Sequence, residues 1–261
     1  MFAEERHARI LTELTRHGTV TVSGLSESFN VNSETIRRDL AQLARAGQLR
    51  RVHGGAVALG VTAGDEPSLA TRISAHSHEK QRIGEAAARE IARLKVRSVA
   101  LDAGSTTVCL GQALLSTPSP RDLPWHIVTH SLTVASVLAP HQQAVVDLVG
   151  GRVRPLTEAA VGAATCSAYE LMRPDIAVLG ANGLSAGFGL STPDPHEADV
   201  KRALAQAGQT VMALVDSSKF GVETLAHIIS LDQLDILICD AEPPSDLAEE
   251  LAAHDVQVVL A

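Results

Sequence analysis

The sequence predicts an α/β protein in two parts: a small helical head ending in a β-hairpin, then a larger domain built on a mainly parallel sheet. Three observations predict it. Before residue 57, apolar residues recur at helical spacing in three short segments, followed by a short alternating stretch. From about residue 77, short β-branched runs alternate with helix-compatible segments, the pattern of a parallel sheet with crossover helices. Charge divides the same way: residues 1–55 hold eight Arg and six acids, a balance of +2, and the rest balances at −10 within a net charge of −8 for 261 residues. The expected boundaries are 1–57 for the head, 58–76 for a linker containing Gly60, Gly64 and Pro67, and 77–261 for the larger domain.

Residues 4–17 carry Ile10, Leu11 and Leu14 on one face, and Gly18 ends that helix. Val22, Leu25 and Phe29 mark a short second helix. The turn Asn30-Val31-Asn32 leads into a third, with Ile36, Leu40 and Leu43 on one side. At about 100° per residue the opposite side carries Glu34, Arg38, Ala41 and Arg45, flanked by Thr35 and Arg37. This third helix opens on polar residues that can cap it and stops at Gly47. A short helix that buries one side and presents arginines on the other fits the recognition helix of a helix-turn-helix in a DNA major groove. Leu49-Arg50-Arg51-Val52 then alternates like a strand. Gly54-Gly55 suits a tight turn, and Ala56-Val57-Ala58 returns. Candidate DNA contacts are Ser33, Thr35, Arg37, Arg38 and Arg45 on the helix and Arg51 and His53 on the hairpin, a wing against phosphates.

This head resembles the N-terminal domain of the DeoR family of bacterial transcriptional regulators, through Thr35-Ile36-Arg37-Arg38-Asp39-Leu40 and Arg51-Val52-His53-Gly54-Gly55-Ala56. Asn32 stands where the family usually has serine, and asparagine also caps helices. The acidic remainder of the chain should not bind nucleic acid by itself. No run of 18 apolar residues suggests a membrane span, and the N-terminus enters a charged helix directly, so a cytoplasmic protein is expected. Cys109, Cys166 and Cys239 form no CxxC pair and read as buried thiols of a reducing compartment.

In the larger domain, a helix is expected over 78–94, with Lys80, Ile83, Ala87 and Ile91 on one stripe. Strands are expected over 98–102, 126–129, 144–149, 176–180, 210–215, 227–230, 235–239 and 256–260. With four Phe, one Tyr and one Trp, the core must be aliphatic. Ligands of such sheets bind beyond the carboxyl ends of the strands. Those exits read Asp102-Ala103-Gly104-Ser105-Thr106-Thr107, Thr129-His130-Ser131, Gly150-Gly151, Asn182-Gly183 and Asp216-Ser217-Ser218-Lys219. Any one of them could simply be turn and cap chemistry. Together with a lysine they favour an anionic polar ligand, with N–H groups at a helix start and Lys219 on a phosphate, and Asp102 and Asp216 on sugar hydroxyls.

The same exits, with Glu197-Ala198-Asp199-Val200-Lys201, resemble the C-terminal sensor domain of the DeoR family, related in fold to ribose-5-phosphate isomerase. The resemblance implies a sensor of a phosphorylated sugar and adds Glu197 and Lys201 to the expected effector site. It implies a repressor of sugar or nucleoside catabolism genes, released from operator DNA by its effector, with no cofactor, metal or catalytic residue. His130 departs from the family's usual asparagine, and Arg97-Ser98 from its usual Gly-Asp. A single helix-turn-helix needs a partner to read paired half-sites, so a homo-oligomer, dimer or tetramer, is expected.

The main alternative is a sugar-phosphate isomerase-like enzyme with a fused DNA-binding head, using Asp102, Glu197 or Asp216 as acid and base. The G-x-S-x-G at 183–187 lacks a following helix, so it makes a poor nucleophile elbow. His196-Glu197 begins an H-E-x-x-H pattern that Val200 breaks. Neither a P-loop nor a G-x-G-x-x-G is present.

Overall fold

The structure is a computed structural model describing residues 3–17, 19–29, 31–52, 55–58, 66–119 and 123–261. It divides into two compact units, Met1–Glu66 and Pro67–Ala261.

The first unit contains α1 (Ala3–His17), β1 (Thr19–Thr21), α2 (Val22–Phe29), α3 (Ser33–Arg45), β2 (Leu49–Val52) and β3 (Gly55–Ala58). Ile10, Leu14, Leu25, Ile36, Leu40, Leu43 and Leu49 form its core. Each such buried side chain contributes about 1.5–3 kcal/mol. Asn32 caps α3, its Oδ1 accepting from the Thr35 N–H at 2.8 Å. Gly47 ends the helix at φ 65°, a left-handed conformation in which a side chain is strained. The hairpin β2–β3 is present but gains a third strand, β1, which pairs with β3 and was not expected. Gly55 therefore belongs to β3 instead of the turn. A Cβ there would lie 2.0 Å from the Val20 carbonyl oxygen, so only glycine lets β1 approach. Gly18, Asn30, His53 and Gly54 lie outside the described residues.

The second unit begins with a helix, α4 (Leu69–Ser74), inside the stretch expected to be linker. Ser68 caps it and Leu69 is buried. There follow α5 (Ser77–Arg93), β4 (Ser98–Leu101), α6 (Ser105–Leu115), β5 (Trp125–Thr129), α7 (Leu132–Leu138), β6 (Ala144–Leu148), β7 (Arg152–Arg154), β8 (Ala159–Val161) and α8 (Ala163–Glu170). The chain continues through β9 (Ile176–Gly180), β10 (Gly183–Ser185), β11 (Gly189–Thr192), α9 (Pro195–Ala207), β12 (Thr210–Val215), β13 (Ala226–Ile229), β14 (Ile236–Cys239), α10 (Ser245–Ala253) and β15 (Gln257–Leu260). Seven strands form one parallel sheet in the order β15-β14-β12-β9-β4-β5-β6. Residues alternate between its faces. Val99, Leu101, Met212 and Leu214 pack with Ile83, Ala87 and Ile91 of α5, and Ala100, Ala177, Ala213 and Val215 pack with Ala198 and Leu204 of α9.

The strand expected at 227–230 exists as β13, but it joins the small antiparallel sheet β10-β11-β13. Its link to β14 is too short for the crossover that a parallel neighbour requires. The 183–187 motif is the β10–β11 hairpin, where Ser185 donates to Glu223 Oε1 at 2.8 Å, so it is no nucleophile elbow. Cys239 is buried, whereas Cys109 and Cys166 are only half-buried, a correction to the expectation for both.

Candidate functional site

In the first unit, Arg37, Arg38 and Arg45 project from the exposed side of α3. Glu34 lies 3.7 Å from Arg37 and 3.5 Å from Arg38. Exposed pairs of this kind contribute little, so they release the guanidiniums readily to another anion. Ser33 and Thr35 are half-buried, and Thr35 Oγ1 is committed to Asn32 Oδ1 at 2.8 Å. Arg51 is placed in β2, and His53 falls outside the described residues. Behind the arginines sits a group that helical periodicity missed. Asp39 is buried on the inner side of α3, accepting from Arg6 Nε at 2.6 Å and Nη2 at 3.0 Å, with His7 Nε2 at 3.0 Å. Burial pushes the Asp39 carboxyl up, but the bonds from Arg6 and His7 outweigh it and hold it below its ordinary value.

In the second unit the chain runs outward from β4 through β5 to β6, then returns to β9 on β4's other side. The carboxyl ends of β4 and β9 therefore open a crevice, the place where such sheets take ligands. Asp102 leaves β4 at this point and is completely buried. Its Oδ2 is paired with Lys201 Nζ and accepts the Gly180 N–H at 2.8 Å, while His130 Nε2 is 3.4 Å from Oδ1. Lys201 also donates to Gly180 O at 3.0 Å, and His130 Nδ1 meets Tyr169 Oη at 2.9 Å. Instead of facing sugar hydroxyls, Asp102 anchors Lys201 and His130 from beneath.

Several other expected residues turn inward. Thr107 Oγ1 reaches Asp102 O and Gly104 O, both at 2.8 Å. Thr129 Oγ1 donates to Leu101 O at 2.7 Å, and Ser131 Oγ caps α7. Glu197 Oε1 accepts from Thr157 Oγ1 and from Arg154 Nη1. Asn182 Oδ1 accepts from Thr192 Oγ1 at 3.0 Å, and a Cβ on Gly183 would lie 2.2 Å from Val222 O. Gly151 is likewise packed, against Thr165. These groups build the rim.

What still faces outward is a smaller set. Gly104 caps α6 with no side-chain bond, leaving the first N–H groups of the helix, from Ser105 and Thr106 onward, without a side-chain acceptor. A Cβ on Gly104 would meet only Thr107 Oγ1, at 3.5 Å, and its φ of −178° suits any residue. Neither packing nor backbone strain requires glycine there, whereas a ligand pressed against the backbone would. Gly150 is exposed, and a Cβ on it would meet nothing within 4 Å. Lys219 is partly exposed, with Nζ 3.4 Å from Asp216 Oδ2. The Asp102 Oδ1 and Asp216 Oδ2 atoms are buried without a hydrogen bond.

Lys80, on the apolar stripe of α5, was not expected here. It is buried, its ammonium donates to Arg72 O at 2.6 Å and to Ala75 O, and it feels the charge of Asp216. Burial brings its pKa down to about 8 against the pull of Asp216. Asp102 is thus paired with Lys201 and Asp216 with Lys219, while Asp240 accepts from the Ser217 N–H at 2.6 Å and from its hydroxyl at 3.0 Å. Burial works against both carboxylates, yet Lys201 and His130 hold Asp102 down at about 2, and Lys219, Ser218 and Lys80 hold Asp216 there. Each carboxylate therefore contributes stability above its ordinary pKa that is lost as pH falls from about 4 towards 2, about 2 kcal/mol apiece. Trp125, the only tryptophan, is buried in this unit, so urea unfolding followed by its fluorescence should show that loss.

Two clefts, of about 400 and 430 Å³, are lined by none of the expected effector residues; the first runs along Tyr169, Met172 and Ala203, the second along Leu115, Thr117 and Trp125. Among the described residues, no helix is long and apolar enough to cross a membrane, and no cluster of three His, Cys, Asp or Glu could hold a metal.

Comparison with known proteins gives concordant matches. The DeoR-like helix-turn-helix domain matches residues 6–61, and the DeoR C terminal sensor domain matches residues 75–241. The glycerol-3-phosphate regulon repressor of Escherichia coli (strain K12) is 32% identical over 256 residues, covering 98% of each chain. The HTH-type transcriptional regulator GlpR of Haloferax volcanii is 32% identical over 259 residues, covering 99% of this chain and 98% of that one. Among solved structures, ribose 5-phosphate isomerase A of Methanocaldococcus jannaschii aligns over 56% of this chain and 55% of its own, with a TM-score of 0.39 and 14% identity.

Proposed function

The chain belongs to the DeoR family of transcriptional regulators, and from that premise we propose that it represses genes of sugar or nucleoside catabolism until a phosphorylated sugar releases it. It is a DNA-binding regulator and not an enzyme, as its relatives are named. The observation that carries the reading is the exposed arginine side of α3, on a helix whose other side is locked into the core. Arg37, Arg38 and Arg45 meet base edges or phosphates in the major groove, with Ser33 and Thr35 at the helix start and Arg51 on the hairpin, and His53 adds to these DNA contacts. The protein works as a homo-oligomer, dimer or tetramer, in the cytoplasm, because paired half-sites need paired recognition helices. An operator duplex can be selected from a random library with the full chain. Arg38→Ala should then weaken binding by about 1–3 kcal/mol in an anisotropy titration at fixed salt, if Arg38 reads a base. Unchanged affinity in a folded Arg37→Ala, Arg38→Ala protein would remove this assignment.

The effector sits over the crevice between β4 and β9. Its phosphate takes the N–H groups from Ser105 to Thr107 and the charge of Lys219, its sugar lies along Gly104, Gly150 and Asp216, and Asp102, Thr129, His130, Ser131, Gly151, Asn182, Gly183, Glu197 and Lys201 hold the rim. Glycerol 3-phosphate, named in a relative, is the first compound to test. Lys219→Ala should weaken effector binding by about 1.5–3 kcal/mol in calorimetry, the contribution of one charged hydrogen bond. An unchanged affinity would move the phosphate elsewhere. The isomerase alternative finds little support, since Asp102 and Glu197 are both tied to basic partners and to neighbouring polar groups.

A further inference from the structure

Tyr169 sits in the last turn of α8 and is completely buried, and no sequence motif marks it for a role. Its Oη is 2.9 Å from His130 Nδ1, and the two rings meet edge to face, perpendicular, with centroids 5.8 Å apart. His130 leaves β5 only 3% exposed, and its other ring nitrogen, Nε2, lies 3.4 Å from Asp102 Oδ1. That oxygen is buried without a hydrogen bond, whereas Lys201 and the Gly180 N–H both take Oδ2. The imidazole is thus held between a phenol and an uncovered carboxylate oxygen.

Hydrogen accounting fixes where this imidazole carries its proton. A neutral imidazole has one N–H and one bare nitrogen, an imidazolium has two N–H groups, and a protonated phenol has a hydrogen to place on an acceptor. With the proton on Nδ1, bare Nε2 would turn its lone pair on the ionised Asp102 oxygen, and the Tyr169 hydrogen would have no acceptor. An imidazolium would strand that hydrogen too, since among the described residues no acceptor other than Nδ1 bonds Oη. A buried donor left unpaired is costly. The arrangement that strands nothing has Oη donating to Nδ1 and the Nε2–H facing Asp102 Oδ1. Burial and the charge of Asp102 both push the Tyr169 phenol up, which keeps its hydrogen in place.

We propose that Tyr169 is a positioning residue of the effector site: its hydroxyl locks His130 as the neutral Nε2–H tautomer and so turns a donor toward Asp102. This rests on the effector reading above for the anionic ligand. Asp102 stands at the base of the turn through Gly104 into α6, whose first N–H groups are offered to the phosphate. An uncovered carboxylate oxygen beneath an anion repels it. Lys201 covers Oδ2, and the His130 Nε2–H covers Oδ1. Without the hydroxyl of Tyr169, the imidazole is free to turn or to carry its proton on Nδ1, and the exposed charge of Oδ1 works against the phosphate.

The test begins on the full, unmodified chain with no ligand. Histidine-selective nitrogen-15 labelling at pH 7, with the His130 signals identified by their loss in His130→Gln, should show a protonated Nε2 and a bare, hydrogen-bonded Nδ1. In Tyr169→Phe the Nδ1 signal should move to that of a bare nitrogen without a donor, or both tautomers should be populated. A purely structural Tyr169 would lower the melting temperature and leave the tautomer as it was. Calorimetry with inorganic phosphate, glycerol 3-phosphate and ribose 5-phosphate then compares the two chains. Affinity for whichever compound binds should fall about threefold to tenfold in Tyr169→Phe, the factor one lost hydrogen bond corresponds to. A proton on Nδ1 or on both nitrogens in the unmodified chain overturns the proposal, as does unchanged ligand affinity in a folded Tyr169→Phe. The signals of the unmodified chain decide the tautomer even if the variant fails to fold. If no compound binds while the tautomer is as described, the clamp on His130 stands and the effector reading fails.

Discussion

Replacing Lys201 by methionine should cost the second unit about 3–5 kcal/mol, the penalty for leaving a buried charge without its partner. Asp102 is completely buried, and the Gly180 N–H and the more distant His130 cannot replace an ammonium. Acid should also act with reversed sign. In the unmodified chain Asp102 is held near 2, so acidification below about pH 4 removes stability. Without Lys201, burial raises the carboxyl instead, and a group whose folded pKa is raised favours folding as pH falls. Urea titrations at several pH values, followed by Trp125 fluorescence, will show both effects. Adding Asp102→Asn should recover part of the loss, because the two residues share one interaction. A loss under about 1 kcal/mol with an unaltered pH profile would mean that Asp102 does not depend on Lys201.

Asp39→Ala should have a comparable cost in a much smaller body. Breaking a buried pair costs about 3–5 kcal/mol, whereas a unit of this size has a total stability of only about 3–9 kcal/mol. Arg6 and His7 on α1 are then left facing an apolar site. The first unit should be largely unfolded at 37 °C, while the Trp125 melt of the second unit stays where it was. Amide exchange in α1 and α3 will report this directly, and operator binding should be lost. Arg38→Ala makes the contrast, since it weakens binding with the fold intact. Operator affinity retained within threefold in Asp39→Ala would show that the α1–α3 ion pair is dispensable.

These two pairs also mark how far the sequence can be read. Strands such as β9 and β12 announce themselves because buried parallel strands are short apolar runs between turn residues. The recognition helix is legible because its apolar spacing and its cap are local. The strands β7, β8, β10 and β11 were missed, since three or four residues rich in Gly, Ser, Arg and Ala carry no alternation. Helix α4 was missed because six residues with two hydroxyls look like linker. At the site, residue types at strand exits were legible, but their directions were not. The hydroxyls of Thr107 and Thr129 turn back onto the main chain, which depends on rotamers. Lys201 meets Asp102 across 99 positions of sequence, and no period connects them. Lys80 could have been found: a lysine in step with Ile83, Ala87 and Ile91 must either snorkel or have buried acceptors.

The order of strands also governs how the protein comes into being. Synthesis delivers β4 first, yet β4 ends in the middle of the sheet, and its second neighbour, β9, begins only at Ile176. A nascent chain therefore presents a complete DNA-reading unit while one flank of its central strand is still bare. Such long-range parallel pairing is slow, and an open strand edge invites aggregation while it waits. The crevice cannot exist until Gly180 and Lys201 have both emerged. Translation through α9 is therefore needed before the carboxyl ends of β4 and β9 are flanked by the residues that line them.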